Sequence, residues 1–394
     1  MNAPERLRRG ACPGLSAPMQ TGDGLLARLT PIGSIMLDAF AGLCVAAKTH
    51  GNGIVEVTSR DSFQVRGLRA ATAPLFAAEV AALGIEASDG IPVLTDPLSG
   101  DHALAGEIRV ALAAASLTAR LSAKVSVTVD LDLAADIALR STDESGVHVS
   151  LASSPLGAVP RKDAALCVRR LLETLAAMAP GSRMRDVLER GGIDALRSAV
   201  ADCLVDRPPP ARRLAADPVG VHRLSSGVAL GIGLPFGHSD AAALIRLADA
   251  ARQAGAAGVS ASPGRVLLVM GLSSATAATV AAAAEALGFI VDPADPRCRI
   301  VACAGAPICA SGEIPARALA PLLTRAAENL ADGGVIHLSG CIKGCAHPAP
   351  APVVVVGRAG QCDIVIDGRA SDSVTPDALP QRLADILRDR GGSP

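Results

Sequence analysis

The chain has 394 residues, enough for two to four domains at about 150 residues each, and half of its residues are apolar. Only 1% are aromatic (five Phe, no Trp, no Tyr), so small aliphatics must fill the cores, and the lack of stacking platforms argues against single-stranded nucleic-acid binding. Lys and Arg (37) balance Asp and Glu (38) at a net charge of −1, leaving no global field to recruit DNA or a membrane surface, and ten Cys are too sparse for a disulfide scaffold.

In chain order, the opening MNAPERLRRGACPG carries charges with no apolar run behind them, unlike a secretory signal. A short strand, Leu25 to Leu29, runs into a Pro31-x-Gly33 turn. Ile35, Ala39, Leu43 and Ala47 then follow at near-helical spacing up to Gly51, a residue type suited to a left-handed cap. Strands Ile54–Val57 and Phe63–Val65 and a helix over 74–83 come next. Lys124–Leu133 alternates as a strand, and Asp163–Met178 has the pattern of an amphipathic helix. Asp206-Arg-Pro-Pro-Pro-Ala-Arg-Arg reads as a stiff polar connector. Beyond it stand a strand at Val228–Ile232, a Pro235-x-Gly237 turn, a helix ending at Gly255, a strand at Val266–Val269 and a helix over 277–287. Pro315–Leu330 is expected to be helical, with strands at Val353–Val356 and Ile364–Ile366. The uncharged stretch Val266–Ala284 is broken by Gly271, Ser273, Ser274, Thr276 and Thr279, so it reads as strand, turn and helix start and not as a membrane span. The expectation is a soluble cytoplasmic protein with reduced thiols and no nucleic-acid or membrane partner.

The segments repeat. A shift of 204 places Pro31-x-Gly33 on Pro235-x-Gly237, Gly51 on Gly255, Val55 on Val259, Val65-x-Gly67-Leu68 on Val269-x-Gly271-Leu272, and Leu83-Gly84 on Leu287-Gly288, without a gap. Alanine matches are cheap in this composition, whereas the Pro, Gly and Val-x-Gly-Leu matches are not. Two copies of one strand–helix–strand module follow, each an α/β or α+β half-domain.

Six Cys (Cys12, Cys44, Cys167, Cys203, Cys298, Cys362) are scattered singly and read as small buried hydrophobes. The other four are grouped as Cys303-x5-Cys309 and Cys341-x3-Cys345, separated by a helix-length insert. The first pair is wide for zinc, whereas an iron–sulfur cube takes four thiolates and suits larger loops. Gly340 and Gly344 each precede a ligand candidate and let backbone amides approach cluster sulfurs, while Gly305 and Pro307 shape the first loop.

Cys-x5-Cys followed by Ser339-Gly340-Cys341-Ile-Lys343-Gly344-Cys345-Ala-His347-Pro348 resembles the cluster motif of the sulfite and nitrite reductase superfamily. Thr58-Ser-Arg60-Asp-Ser-Phe-Gln64-Val-Arg66-Gly67 resembles its Thr-x-Arg-x-x-x-Gln signature. The likeness spans about residues 10–370. Within that superfamily, Arg9-Gly10-Ala-Cys12-Pro13-Gly14 with Pro18-Met19-Gln-Thr-Gly22-Asp23-Gly24-Leu25-Leu26 resembles the opening of the precorrin-3B synthase family. The resemblance implies an α+β fold of duplicated reductase architecture. Two ferredoxin-like half-domains (10–84 and 219–288) would pair about a pseudo-twofold, joined by a linker (206–218), with two sirohaem-type α/β domains (85–205 and 289–394). It further implies a 4Fe-4S cluster on Cys303, Cys309, Cys341 and Cys345, the last also able to bridge to a sirohaem iron. An additional iron or sirohaem, precorrin-3A and dioxygen as substrates, and a hydroxy-lactone product belong to the same implication. NADH would serve as an indirect electron source through a separate donor, since no Gly-rich dinucleotide fingerprint follows a strand.

Two departures from the reductases bear on the substrate. Ile91-Pro-Val-Leu-Thr-Asp-Pro97-Leu98-Ser-Gly100 lacks the anion-holding Arg, and Leu121-Ser-Ala-Lys124-Val-Ser126 keeps one lysine of two. Losing two charge-assisted contacts of about 1.5–3 kcal/mol each would remove most of the binding of a small dianion, while a macrocycle pocket could survive. A macrocycle edged with carboxylates calls for converging Arg and Lys: Arg28, Arg60, Arg66, Lys124, Arg265 and Lys343 are the candidates, with Gln64 beside Arg60. Arg60 and Lys124, at the motif positions, are the catalytic candidates. His347 stands two residues past Cys345, and Asp61 and Asp89 show no spacing that sets them apart from loop residues. The competing readings are a small sirohaem-dependent sulfite or nitrite reductase, and a non-catalytic tetrapyrrole or cluster carrier.

Overall fold

A computed structural model describes residues 13–391 apart from 89, 144–145, 209, 211–216, 226, 332 and 348, so Cys12 and Asp89 lie outside the described residues. The first repeat comprises β1 (Met19–Thr21), β2 (Gly24–Leu29), α1 (Leu37–His50), β3 (Ile54–Val57), β4 (Phe63–Leu68) and α2 (Ala73–Ala82). Its strands lie antiparallel in the order β1-β2-β4-β3. Alternation divides the sheet: Phe63 and Val65 are buried, and Phe63 packs on Phe40 of α1 with ring centroids 5.6 Å apart. The scarce aromatics are thus spent at the helix–sheet contact. Gly51 does not adopt the expected left-handed cap. It is extended (φ −113°), and glycine is required there because a Cβ would stand 2.5 Å from the Arg66 carbonyl oxygen.

The chain then builds β5 (Val93–Thr95), α3 (His102–Ala114), β6 (Val127–Val129), β7 (Ile137–Asp143), β8 (Gly146–Leu151), β9 (Ser154–Pro160), α4 (Ala164–Met178), α5 (Met184–Leu188) and α6 (Ile193–Ala199). The strand expected over Lys124–Leu133 is only three residues long. Lys124 lies on the turn before it, and Asp130 ends it at φ +51°, its carboxylate accepting from the Ser141 amide and hydroxyl. β5, β6 and β7 are parallel, and β8 and β9 close the sheet antiparallel.

The second repeat contains β10 (Gly220–Leu224), β11 (Gly227–Gly233), β12 (His238–Asp240), α7 (Ala241–Gln253), β13 (Gly258–Ser262), β14 (Val266–Leu272) and α8 (Ser274–Ala286). Gly255 takes the left-handed turn expected of it (φ +76°). β13 escapes a reading by pattern because Gly-Val-Ser-Ala-Ser is short and built of small residues, polar Ser262 being buried along with Val259 and Ala261. The repeats interlock reciprocally: β12 pairs with β3, Ser239 opposite Val55, while Ile35 pairs with Val259. Moving Ser239 back by 204 positions gives Ile35 and moving Val55 forward by 204 gives Val259, and α1 packs on α7 between them. This is the pseudo-twofold in backbone terms.

The last unit holds β15 (Ile300–Ala302), α9 (Ala316–Leu319), α10 (Thr324–Ala327), β16 (Ile336–Ser339), β17 (Val353–Arg358), β18 (Gln361–Ile366), β19 (Arg369–Val374) and α11 (Leu379–Gly391). The helix expected over 315–330 is broken into short turns, with Pro321 opening a 3-10 segment between α9 and α10. Strands β15, β16 and β17 are parallel and β18 and β19 antiparallel, the sense and order already seen in β5 to β9. The duplication therefore extends beyond the stretch where residues match.

Contacts divide the chain into two compact units. One is built mainly from residues 86–216; the other takes in 15–29, 34–85 and 217–394, and so carries both repeats and the four grouped cysteines. Among the described residues no helix is long and apolar enough to cross a membrane; Val266–Ala284 is β14 and most of α8.

Candidate metal centre and its arginine setting

Both cysteine loops leave the carboxyl ends of adjacent parallel strands, β15 and β16, the end of such sheets where ligands commonly bind. The Cys303 amide donates to the Leu338 carbonyl (3.2 Å), carrying the ladder into the first loop. The two loops then meet: the Gly340 amide donates to Cys303 Sγ at 3.0 Å and the Glu313 amide to the Gly340 carbonyl at 2.7 Å. A Cβ on Gly340 would stand 2.8 Å from Gly305 Cα and 3.3 Å from Cys303 Sγ, so the approach depends on glycine. Lys343 Nζ donates to Ser311 Oγ (2.6 Å), a second tie between the loops.

Burial pushes the Cys303 thiol up, the Gly340 and Gly305 amides draw it down, and the Cys309 and Cys341 sulfurs raise it again. Cys341 is buried, Cys303 and Cys309 are half-buried, and Cys345 is exposed. Among the described residues no three His, Cys, Asp or Glu side chains close on one point as a metal site, so the loops are joined by backbone and side-chain hydrogen bonds without three of the four sulfurs converging. The donor set nonetheless fits an iron–sulfur cluster: four soft thiols, an amide already aimed at one sulfur, and glycine where a side chain would intrude. The scattered cysteines are different. Burial pushes the thiols of Cys44, Cys167, Cys298 and Cys362 up, that of Cys167 to about 12, as suits inert packing residues.

The sheet face of the first repeat turned away from Phe40 is polar. Arg28 on β2 donates to Gln64 Oε1 (2.7 and 3.1 Å), Gln64 on β4 donates to Glu56 Oε2 (2.7 Å), and Glu56 on β3 lies opposite His238 on β12. Arg317 of α9 pairs with Glu56 Oε1, and Arg66 Nε stands 3.8 Å from the same oxygen. Arg66 also pairs with Asp23 and donates to the Ile308 carbonyl, next to Cys309 (3.2 Å). Arg265, at φ +68°, donates to the Ala346 carbonyl, next to Cys345 (2.8 Å). Arg66 and Arg265 thus meet backbone carbonyls of the cysteine loops, where the sequence suggested ligand carboxylates. Arg60 lies half-buried in the turn between β3 and β4, not on the strand row with Gln64. Lys124 is exposed and belongs to the unit without the grouped cysteines.

Pattern reading missed Glu56, His238, Arg317 and His337. Glu56 sits in Ile-Val-Glu-Val, where alternation suggests a solvent face, and Arg317 is 261 residues away. His337 on β16 is 4% exposed, its Nε2 has no hydrogen-bond partner among the described residues, and its ring meets His347 edge-on at 5.8 Å. Burial lowers the His337 ring to about 4, with His347 and Arg265 adding to the effect. No local signal marks it. The second repeat lacks the polar row: Gly231, Leu268 and Ser260 occupy the registered positions held in the first by Arg28, Gln64 and Glu56. The polar row therefore belongs to one copy of the duplicated sheet.

No protein-family model matches the sequence. A precorrin-3B synthase of Sinorhizobium sp is 35% identical over 391 residues, covering 93% of this chain and 84% of that protein. A sulfite reductase [ferredoxin] 2 of Mycolicibacterium paratuberculosis is 29% identical over 195 residues, 45% of this chain and 35% of that protein. Among solved structures, the NirA protein of Mycobacterium tuberculosis superposes with a TM-score of 0.74 at 18% identity, covering 93% of this chain and 80% of the other, which establishes a common fold.

Proposed function

The chain belongs to the precorrin-3B synthase family, and from that premise we propose that it oxidises precorrin-3A with dioxygen to a hydroxy-lactone, as a monooxygenase of aerobic cobalamin biosynthesis. The carrying observation is the likeness along 93% of the chain; the sulfite reductase likeness spans less than half of it. Cys303, Cys309, Cys341 and Cys345 would hold a 4Fe-4S cluster, which when bound supplies electrons one at a time. A further iron, alone or in sirohaem, and a separate donor fed by NADH belong to the same reading.

The chain's own residues supply orientation. Arg28 and Gln64 present a donor row to a carboxylate-edged macrocycle. Glu56 accepts from the Gln64 amide nitrogen and so leaves its oxygen toward Arg28, fixing that row before a ligand arrives. Lys343 ties the loops through Ser311. Arg60 and Lys124 are proposed as substrate contacts by their place in the motifs.

The test is anaerobic purification with iron and sulfide analysis, followed by incubation with precorrin-3A, dioxygen and a reductant. Gain of oxygen with lactone formation, read by mass spectrometry, is expected. A cluster-loaded protein that returns precorrin-3A unchanged overturns the assignment.

A further inference from the structure

Each repeat sends one arginine to a carbonyl that flanks one cysteine. From the first, Arg66 (5% exposed) reaches Ile308, whose carbonyl also accepts from the Gly22 amide at 3.0 Å. From the second, Arg265 reaches Ala346. Neither placement is casual. A Cβ on Gly22 would meet the Pro307 carbonyl oxygen at 2.5 Å, and a Cβ on Gly237 would meet Arg265 Cδ at 2.3 Å, so glycine clears the path for both contacts. Arg265 also holds a left-handed backbone conformation that non-glycine residues rarely adopt. Glu56 stands 3.8 Å from Arg66 and pairs with Arg317 just beyond the first cysteine loop, while Asp23 pairs with Arg66 at 3.2 Å.

We propose that Arg66 and Arg265 are paired positioning residues that hold the Cys309 and Cys345 loops from outside, with Glu56 as a nearby counter-charge on the Arg66 side. The inference rests on the cluster reading above for its electrochemical half and on the bare chain for its mechanical half. Arg66, Arg265 and Arg317 set three positive charges against the two carboxylates of Asp23 and Glu56, so the setting stays cationic. A cation beside an iron–sulfur cluster favours the reduced, more negative state and raises its potential; an anion does the opposite. Arg66 and Arg265 are therefore expected to raise the potential and Glu56 to lower it.

Two measurements on the full chain test this. In the metal-free protein, Arg66→Gln should speed amide exchange about tenfold in the 303–312 loop alone, and Arg265→Gln in the 340–347 loop alone, the scale of one hydrogen bond lost. In reconstituted protein, both substitutions should shift the cluster potential downward and Glu56→Gln upward, which a purely structural role would not do. Arg66→Lys and Arg265→Lys keep the charge, so they should retain the potential better than the Gln variants even where the fold is weakened. Unchanged exchange in both loops, or a shift of the same sign for Arg265→Gln and Glu56→Gln, overturns the proposal. A wild-type chain that takes up no iron and sulfide overturns the cluster reading instead, leaving the exchange result to decide the loop grip by itself.

Discussion

Ile35 and Val259 exchange both of their backbone hydrogen bonds, Ile35 N–H to Val259 O at 2.7 Å and Val259 N–H to Ile35 O at 2.8 Å. Each repeat thereby extends the other's sheet, and neither edge is left open between them. Ile35 is buried, so its amide has no water to fall back on. Ile35→Pro removes that donor, leaves the Val259 carbonyl only the Ser34 hydroxyl at 3.1 Å, and puts a ring into the pairing, at an expected cost of about 2 kcal/mol. Urea unfolding reads the loss. A midpoint equal to wild type would mean that this pairing does not hold the repeats.

The 204-residue offset that predicts this interlock is legible in the sequence because Pro, Gly and Val-x-Gly-Leu recur in register. The cysteine loops are legible too, since their spacing is local. The arginine setting is not. Arg66 meets a carbonyl 242 residues away and Arg265 one 81 residues away, and sequence pattern carries no information on such partners. Composition misleads in one place: the Ala-Leu run of 315–330 reads as one helix, yet Pro321 divides it. It hides an element in another, since β13 is built from residues too small to advertise a strand.

His238 gives a pH dependence with a definite sign. Burial lowers its ring to about 4 from 6.5, Arg317 adds to the lowering and Glu56 opposes it. The folded state therefore holds His238 neutral where the unfolded chain has begun to protonate it. Its stabilising share is complete above about 6.5 and is lost as pH falls toward about 4. Allowing for partial exposure, the swing is about 2 kcal/mol. His238→Asn should flatten the decline of urea stability over that window by this amount. Parallel curves for the two proteins would show that His238 titrates alike in both states.

Gly340 is the tightest point between the cysteine loops. In Gly340→Ala, the new methyl would stand 2.8 Å from Gly305 Cα, a backbone atom that can yield only by moving its loop. The Gly340 amide would then lose its 3.0 Å line to Cys303 Sγ. Iron and sulfide per chain should fall severalfold, with urea stability reduced by about 1–3 kcal/mol as for an overpacked core. Full iron content with an unchanged melt would show that the loops tolerate separation.

The grouped and the scattered cysteines should differ on substitution. Cys341 is buried beside the Cys303 sulfur's amide donor, on a loop anchored to its neighbour, while Cys167 is a fully buried member of an aliphatic core. Cys341→Ser replaces a soft thiolate by a hard, poorly ionised hydroxyl, and should abolish the visible absorption of the reconstituted cluster. Cys167→Ser puts an unpartnered hydroxyl into an apolar site, so it should cost about 1–3 kcal/mol in stability and leave iron content at the wild-type level. The two losses fall on different observables because the cysteines have different work. In the proposed cluster Cys341 would act through its lone pairs, whereas Cys167 acts through its volume. Retention of the absorption in Cys341→Ser, or its loss in a folded Cys167→Ser protein, would reverse that division.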